Sequence, residues 1–157
     1  MNAAVINKVS EEFGALGNMS RHPIEYGVIW PRAEHLFQAL RLKCPKLRDE
    51  ILKISNPMAA KMASKRIRRE NPEQVWVEPL SEEDVGNMRL VLRLKVEQHP
   101  EVRELLMSTA ERYIVEDCTR RQRGSGPFWG AALIDGKWEG TNTLGVLWME
   151  LRKQLAT

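Results

Sequence analysis

Cysteine is scarce in this 157-residue chain: Cys44 and Cys118 are its only two, and they stand in unlike contexts that match no metal-ligand spacing. Two reduced thiols packed as small hydrophobes account for them better than a disulfide does. Long apolar runs are also lacking. The opening MNAAVINKVSEEFG has no hydrophobic stretch of the secretory kind, and nowhere do 18 apolar residues follow one another. The expectation is a cytoplasmic chain with no membrane partner. Several chemistries fall away for want of residues. Glu34-His35 makes no HExxH zinc pair, because position 38 is Gln38. Gly124-Ser125-Gly126 with Gly130 follows no convincing strand, which argues against a dinucleotide fingerprint. No serine sits in a nucleophile elbow, and no repeat or low-complexity tract is present. No metal and no cofactor are expected.

What is present is ordinary globular material, 43% hydrophobic and 29% charged. A chain of this length is most economically one domain, residues 1–157, large enough to bury one real core. The net charge is +3 and the pI about 9.0, a lean that suits a phosphate-bearing partner. The sequence leaves the oligomeric state open.

Periodicity and punctuation predict a mainly helical architecture with a few short strands. Val28-Ile29-Trp30 reads as a strand. Pro31 suits the first turn of a helix to about Leu42, with an apolar stripe of Ala33, Leu36, Phe37 and Leu40. Cys44-Pro45 breaks it, and a short helix follows near 46–55. Asn56-Pro57 reads as an N-cap with proline at N1, opening a helix to about Arg69. Residues 70–73 form a linker, and Trp76-Val77 a brief extended piece. Ser81 with Asp84 resembles a capping box for a long helix to about His99. Pro100 starts the next, with a stripe of Val102, Leu105, Leu106 and Thr109. Residues 119–142 are glycine-rich and carry no helical period, so they read as a functional loop with a hairpin at Asp135-Gly136. Asn142 or Thr143 then caps a final helix through Gln154. Trp76 and Trp148 read as core.

Lys95 is the most informative residue. The buried stripe of its helix runs Val85, Met88, Val91, Leu92, and the next positions on that face are Lys95 and His99. A lysine there either snorkels to the surface or sits desolvated. Desolvation disfavours the ammonium and leaves a neutral amine able to attack an electrophilic carbon. Glu34 lies beside an apolar stripe, one turn from Gln38 and next to His35. It is placed either to exchange protons or to act as a solvated first-turn charge. Basic residues cluster at Lys61, Lys65, Arg66, Arg68 and Arg69, and again at Arg120, Arg121 and Arg123. They read as solvated faces or as contacts to phosphate. Trp129, inside the glycine-rich loop, is placed to stack on a base.

These residues, in this order, resemble the NADAR (NAD- and ADP-ribose-associated) superfamily, whose members share a YbiA-like fold. The resemblance runs from residue 13 to 155. It begins with Phe13-Gly14 and Leu16-Gly17-Asn18-Met19, similar to the family's F-x-x-LSNF, and continues in Trp30-Pro31-Arg32-Ala33-Glu34-His35-Leu36-Phe37-Gln38-Ala39, similar to W-P-T-x-E-H-x-x-Q-A. Pro57 to Lys65 resembles the P-x-x-A-K helix, Trp76 the family's lone tryptophan, and Met88 to Gln98 the M-x-x-x-L-x-x-K-F-x-Q pattern. Leu105 to Glu116, Phe128-Trp129-Gly130 and Gly140 through Arg152 complete it. The chain departs from the pattern at Gly126, where many members have aspartate, at Ser64-Lys65, where they have G-R, and at Arg41, where they have lysine.

The resemblance implies a single compact YbiA-like helical domain and an N-glycosyl hydrolase. Lys95 matches the lysine that attacks the ribose C1 to form a Schiff base, and Glu34 matches the glutamate that handles protons. The implied substrate contacts are Asn18, His35, Gln38, Arg41, Lys65, Trp129, Gly130 and Asn142. The implied partner is an ADP-ribose or ribose-phosphate-bearing substrate. Of the two implied substrate classes, ADP-ribosylated guanine in DNA or RNA suits the basic clusters best. The alternatives are the phosphoribosylated aminopyrimidines of riboflavin biosynthesis and, from another class, a non-catalytic ADP-ribose-binding module.

Overall fold

Residues 2–157 are described by a computed structural model with seven α-helices, one short 3-10 helix and six three-residue strands, five of the α-helices following one another without a strand between them. The fold is mainly helical, and by its internal packing the chain divides into two units, Asn18–Gln98 and residues 2–17 together with His99–Thr157.

The first unit holds the strands β2 (Ile24–Tyr26) and β3 (Val28–Trp30) and the helices α1 (Ala33–Leu40), α2 (Pro45–Leu52), α3 (Pro57–Glu70) and α4 (Glu82–Gln98). β2 and β3 pair antiparallel, with Ile24 opposite Trp30. α1 packs against α2, α3 and α4, and all eight of its residues are buried. Leu36 and Phe37 anchor it, each stabilising the fold by about 1.5–3 kcal/mol through burial. A helix enclosed on every side must also bury its polar residues, and this places Glu34, His35 and Gln38 inside.

The punctuation is largely as expected. Asn56 Oδ1 accepts from the Ala59 N–H at 3.0 Å, with Pro57 at N1. Losing that cap in Asn56→Ala would destabilise the helix by about 1 kcal/mol. The Asp84 N–H donates to Ser81 Oγ at 3.2 Å, but the Asp84 carboxylate accepts from the Leu80 N–H and from Arg41. α1 is shorter than its stripe predicts. Arg32 is the N-cap, so Pro31 lies outside the first turn. Trp76 is half-buried and bridges to Leu42, while Val77 beside it is in the core.

In the second unit β1 (Ala4–Ile6) pairs parallel with β4 (Ile114–Glu116), and β4 packs against α7 (Thr143–Leu155). Helix α5 (Pro100–Ser108) begins at its proline and buries Val102 and Leu106, leaving Leu105 at the edge. Trp148 is fully buried, its indole donating to the Leu16 carbonyl at 2.9 Å. The stretch 119–142 contains one helical turn that its sequence does not announce, α6 (Gly126–Trp129). It also contains the expected hairpin of β5 (Ala132–Ile134) and β6 (Lys137–Glu139). Asp135 and Gly136 both have positive φ, 49° and 78°, as a two-residue turn of the primed type requires. Both cysteines are free. Among the described residues no helix is long and apolar enough to cross a membrane.

Candidate active site

Enclosure of α1 brings four of the expected residues into one polar cluster. Gln38 Nε2 donates to Glu34 Oε1 at 2.8 Å across one helical turn, and Glu34 is 6% exposed. The Glu34 backbone N–H, which has no partner within the helix, donates to the Asn18 carbonyl at 3.0 Å. The Asn18 amide in turn donates to Met88 Sδ on α4 at 3.2 Å. His35 is fully buried, and its Nε2 lies 2.7 Å from the Ile54 carbonyl. Burial lowers its pKa, which keeps the ring neutral, with Nε2 the donor and Nδ1 an acceptor.

Three buried polar atoms among the described residues have no hydrogen-bond partner: Asn18 Oδ1, His35 Nδ1 and Gln38 Oε1. Each such atom destabilises a folded protein by about 1–3 kcal/mol, and native folds keep few of them. All three are acceptors. A ligand that satisfied them would bring donors, as the hydroxyls of a sugar do.

Lys95 does not snorkel. It follows Met88, Val91 and Leu92 on the buried face of α4 and is 0% exposed. Desolvation pushes its pKa down to about 7. Its Nζ donates to Ser20 Oγ at 2.7 Å, and Ser20 Oγ lies 2.9 Å from Nδ1 of the half-buried His22. Neither Ser20 nor His22 stands out in the sequence. The only signal is their place just after Asn18, in a segment that reads as loop.

A cleft of about 390 Å³ opens beside this segment, walled by Pro23 and Pro31 and lined by Arg21, Arg32, Lys53 and Ser55. No carboxylate lines it. The Arg32 guanidinium donates to the Met19 carbonyl at 2.8 Å, and its charge contributes to the lowered pKa of His35.

The remaining expected contacts have surroundings of their own. The Arg41 guanidinium is committed to Asp84 through two hydrogen bonds, 2.9 and 2.8 Å, and stacks over Phe37. This buried, bidentate pair holds the end of α1 to α4. Lys65 is exposed on α3, whose inward face is Ala60, Ala63, Ser64 and Ile67. Arg68, not Lys65, turns inward, donating to Ser64 Oγ at 2.6 Å.

Trp129, Gly130 and Asn142 belong to the second unit. Trp129 is half-buried and meets Phe128 edge to face at 5.0 Å. Gly130 is buried where a Cβ would lie 2.3 Å from the Glu116 carbonyl, so packing accounts for the glycine. Asn142 is fully buried and its amide is used by the protein. Oδ1 accepts from the Glu116 N–H, while Nδ2 donates to the Ile114 carbonyl and the Tyr113 hydroxyl. It therefore braces β4. Its φ of 53° is the left-handed conformation that asparagine tolerates better than most residues.

Known proteins similar to this chain identify its family. The NADAR domain family model matches residues 6–156, spanning both units. N-glycosidase YbiA of Shigella flexneri serotype 5b (strain 8401) is 40% identical over 162 residues, covering 99% of this chain and 91% of the relative. N-glycosidase YbiA of Escherichia coli (strain K12) matches to the same extent. The NMR structure of the E. coli protein YbiA superposes with a TM-score of 0.78 at 34% identity, covering 99% of this chain and 87% of that one. The chain belongs to the NADAR domain family.

Proposed function

We propose that this protein is an N-glycosidase, a hydrolase that cleaves the bond between a ribose C1 and the nitrogen of a base. One observation carries the reading: Lys95 is wholly buried on the apolar face of α4, and its pKa is pushed down to about 7. A lysine held this way is a nucleophile at neutral pH. Its relatives' name, N-glycosidase, gives that nucleophile a reaction.

Departure of a base from C1 builds positive charge on the sugar carbon. In the proposed mechanism the Lys95 amine supplies electrons there, forming an Nζ–C1 bond as the C1–N bond to the base breaks. Glu34 gives a proton to the departing nitrogen. The attached nitrogen then sheds one proton, the ring oxygen leaves C1 and takes that proton, and the open sugar is held as an iminium on Nζ. Water adds to C1 as Glu34 takes back a proton, and the sugar departs, restoring the amine. Donors on the sugar would meet the open acceptors of Asn18, Gln38 and His35. Lys65, Trp129 and Gly130 rest on the resemblance alone and enter the proposal only as outer contacts to the substrate.

The favoured substrate is ADP-ribosylated guanine in DNA or RNA. The acid-free cleft with Arg21, Arg32 and Lys53 suits the phosphates of ADP-ribose. The exposed Arg120, Arg121 and Arg123 suit a nucleic-acid backbone. The test is to incubate the protein with ADP-ribosylated DNA and, separately, with a phosphoribosylated aminopyrimidine, and to measure released sugar. Release from the DNA at the higher kcat/KM is expected. Preference for the aminopyrimidine would transfer the assignment to that metabolite class. Binding of ADP-ribose without release from either substrate would make the protein a binding module.

A further inference from the structure

A buried amine with a suitable pKa is still a poor nucleophile if its lone pair points the wrong way. Neutral Lys95 has two N–H bonds and one lone pair on an Nζ that can rotate about its bond to Cε. A neighbour that must receive an N–H holds that rotor in place. Ser20 is such a neighbour, fully buried and 2.7 Å from Nζ. A serine hydroxyl, however, both donates and accepts. Left to itself it could turn and give its proton to the lone pair of the amine, blocking the nucleophile it faces. His22 removes the ambiguity. Its Nδ1, 2.9 Å from Ser20 Oγ, accepts the hydroxyl proton when the ring carries hydrogen on Nε2. Towards Lys95 the Ser20 oxygen can then only accept.

We propose that Ser20 and His22 are positioning residues that aim the Lys95 lone pair: His22 fixes the Ser20 hydroxyl as acceptor, and Ser20 fixes the Nζ rotor. The inference rests on the reading of Lys95 as the nucleophile, and it assigns a reason for the sequence Ser20-Arg21-His22 that the fold alone does not supply. No covalent bond forms or breaks in this arrangement. The other titratable groups on elements packed against α4 are Glu34 and His35 of α1 and Glu25 and Tyr26 of β2, all of which the test leaves intact.

Two variants break the chain of hydrogen bonds, Ser20→Ala and His22→Phe. Two conservative ones keep it, Ser20→Thr with its hydroxyl and His22→Asn with an acceptor near the Nδ1 position. The first readout uses no substrate. Lys95 is methylated with formaldehyde and cyanoborohydride across pH 6–10, and its peptide is followed by mass spectrometry beside that of exposed Lys53. Losing Ser20 removes an acceptor for the ammonium, and losing His22 frees the hydroxyl to stabilise the neutral amine. Both broken variants should therefore move the Lys95 midpoint down, by about one pH unit. The conservative variants should restore it.

The second readout is the rate at which the open sugar is captured on Lys95 by borohydride during turnover at pH 7. A lower midpoint means more neutral amine, so protonation alone would speed capture in the broken variants. Mis-aiming instead slows it, by ~10–100-fold, with little change in KM. Faster or unchanged capture in Ser20→Ala and His22→Phe overturns the proposal, as does an unmoved midpoint. If the midpoints shift as expected but wild-type Lys95 never captures sugar, the hydrogen-bond coupling stands and the nucleophile assignment falls.

Discussion

In the unit from Asn18 to Gln98, three buried acceptors, on Asn18, His35 and Gln38, have no partner, and a lysine is wholly buried. In the other unit Asn142 is buried just as deeply, yet its amide makes three hydrogen bonds to β4 and Tyr113. Thr109 there is likewise satisfied, donating to the Leu106 carbonyl and accepting from Arg152. The difference separates scaffold from site. A buried polar group whose valences are filled by the protein holds the fold together. One that is left open, at a free-energy cost, is available to something the chain does not supply.

The largest break in that comparison is Lys95→Met. It should abolish turnover while making the protein more stable at neutral pH. The folded pKa, about 7, lies below lysine's ordinary value of 10.5. Between those values the unfolded chain binds a proton that the folded chain does not. The lysine therefore weakens folding progressively as pH falls from about 10.5 to 7, and by a constant amount below that. The variant should gain a few kcal/mol at pH 7, because lowering a pKa by one is worth about 1.36 kcal/mol. That gain should vanish near pH 11, as denaturant titrations at both pH values would reveal. Wild-type turnover should rise with pH through about 7 as the amine loses its proton.

Glu34→Gln comes next. It keeps shape and hydrogen bonding to Gln38 but removes proton transfer, so kcat should fall ~10²–10⁴-fold with little change in ligand affinity. Near wild-type turnover in the folded variant would remove Glu34 from the chemistry.

Asn142→Ala sharpens the comparison from the scaffold side. It strands the Glu116 N–H and the Ile114 carbonyl, and should destabilise the protein by about 2–4 kcal/mol. Activity per folded molecule should stay near wild type. A stable Asn142→Ala variant that had lost ligand affinity would place Asn142 among the substrate contacts.

The smallest effect belongs to the surface. Changing Arg120, Arg121 and Arg123 to alanine should leave a mononucleotide-sized substrate nearly untouched. On modified DNA it should flatten the salt dependence of binding, by a log–log slope of roughly 0.7–0.9 for each phosphate that is no longer neutralised. Equal loss on both substrates would assign these arginines to the ligand's own phosphates or to the fold.

Much of this was legible in the sequence because it is local. The caps at Asn56 and Ser81, the Asp135-Gly136 turn and the proline starts of α3 and α5 each depend on residues within four positions of one another. The place of Lys95 on the inward face of its helix was legible because it continues an apolar stripe, but only the three-dimensional packing decides between burial and snorkelling. The partners were not legible. Arg41 and Asp84 are 43 positions apart, Lys95 and Ser20 75, and no period in the chain connects them. Helix α6 escaped because four residues beginning Gly-Pro are too few to show a period. The bracing of β4 by Asn142 was not legible for a chemical reason: a polar residue at a helix start in a glycine-rich stretch looks the same whether its amide faces a ligand or a strand.

The central claim is that the Lys95 amine bonds to the sugar. Borohydride added during turnover reduces an iminium to a stable secondary amine, and peptide mapping then locates it. The account predicts a sugar-mass adduct on the peptide containing Lys95, absent in Lys95→Arg, whose guanidinium stays protonated and cannot attack. An active enzyme that yields no adduct, or one on another residue, would contradict it.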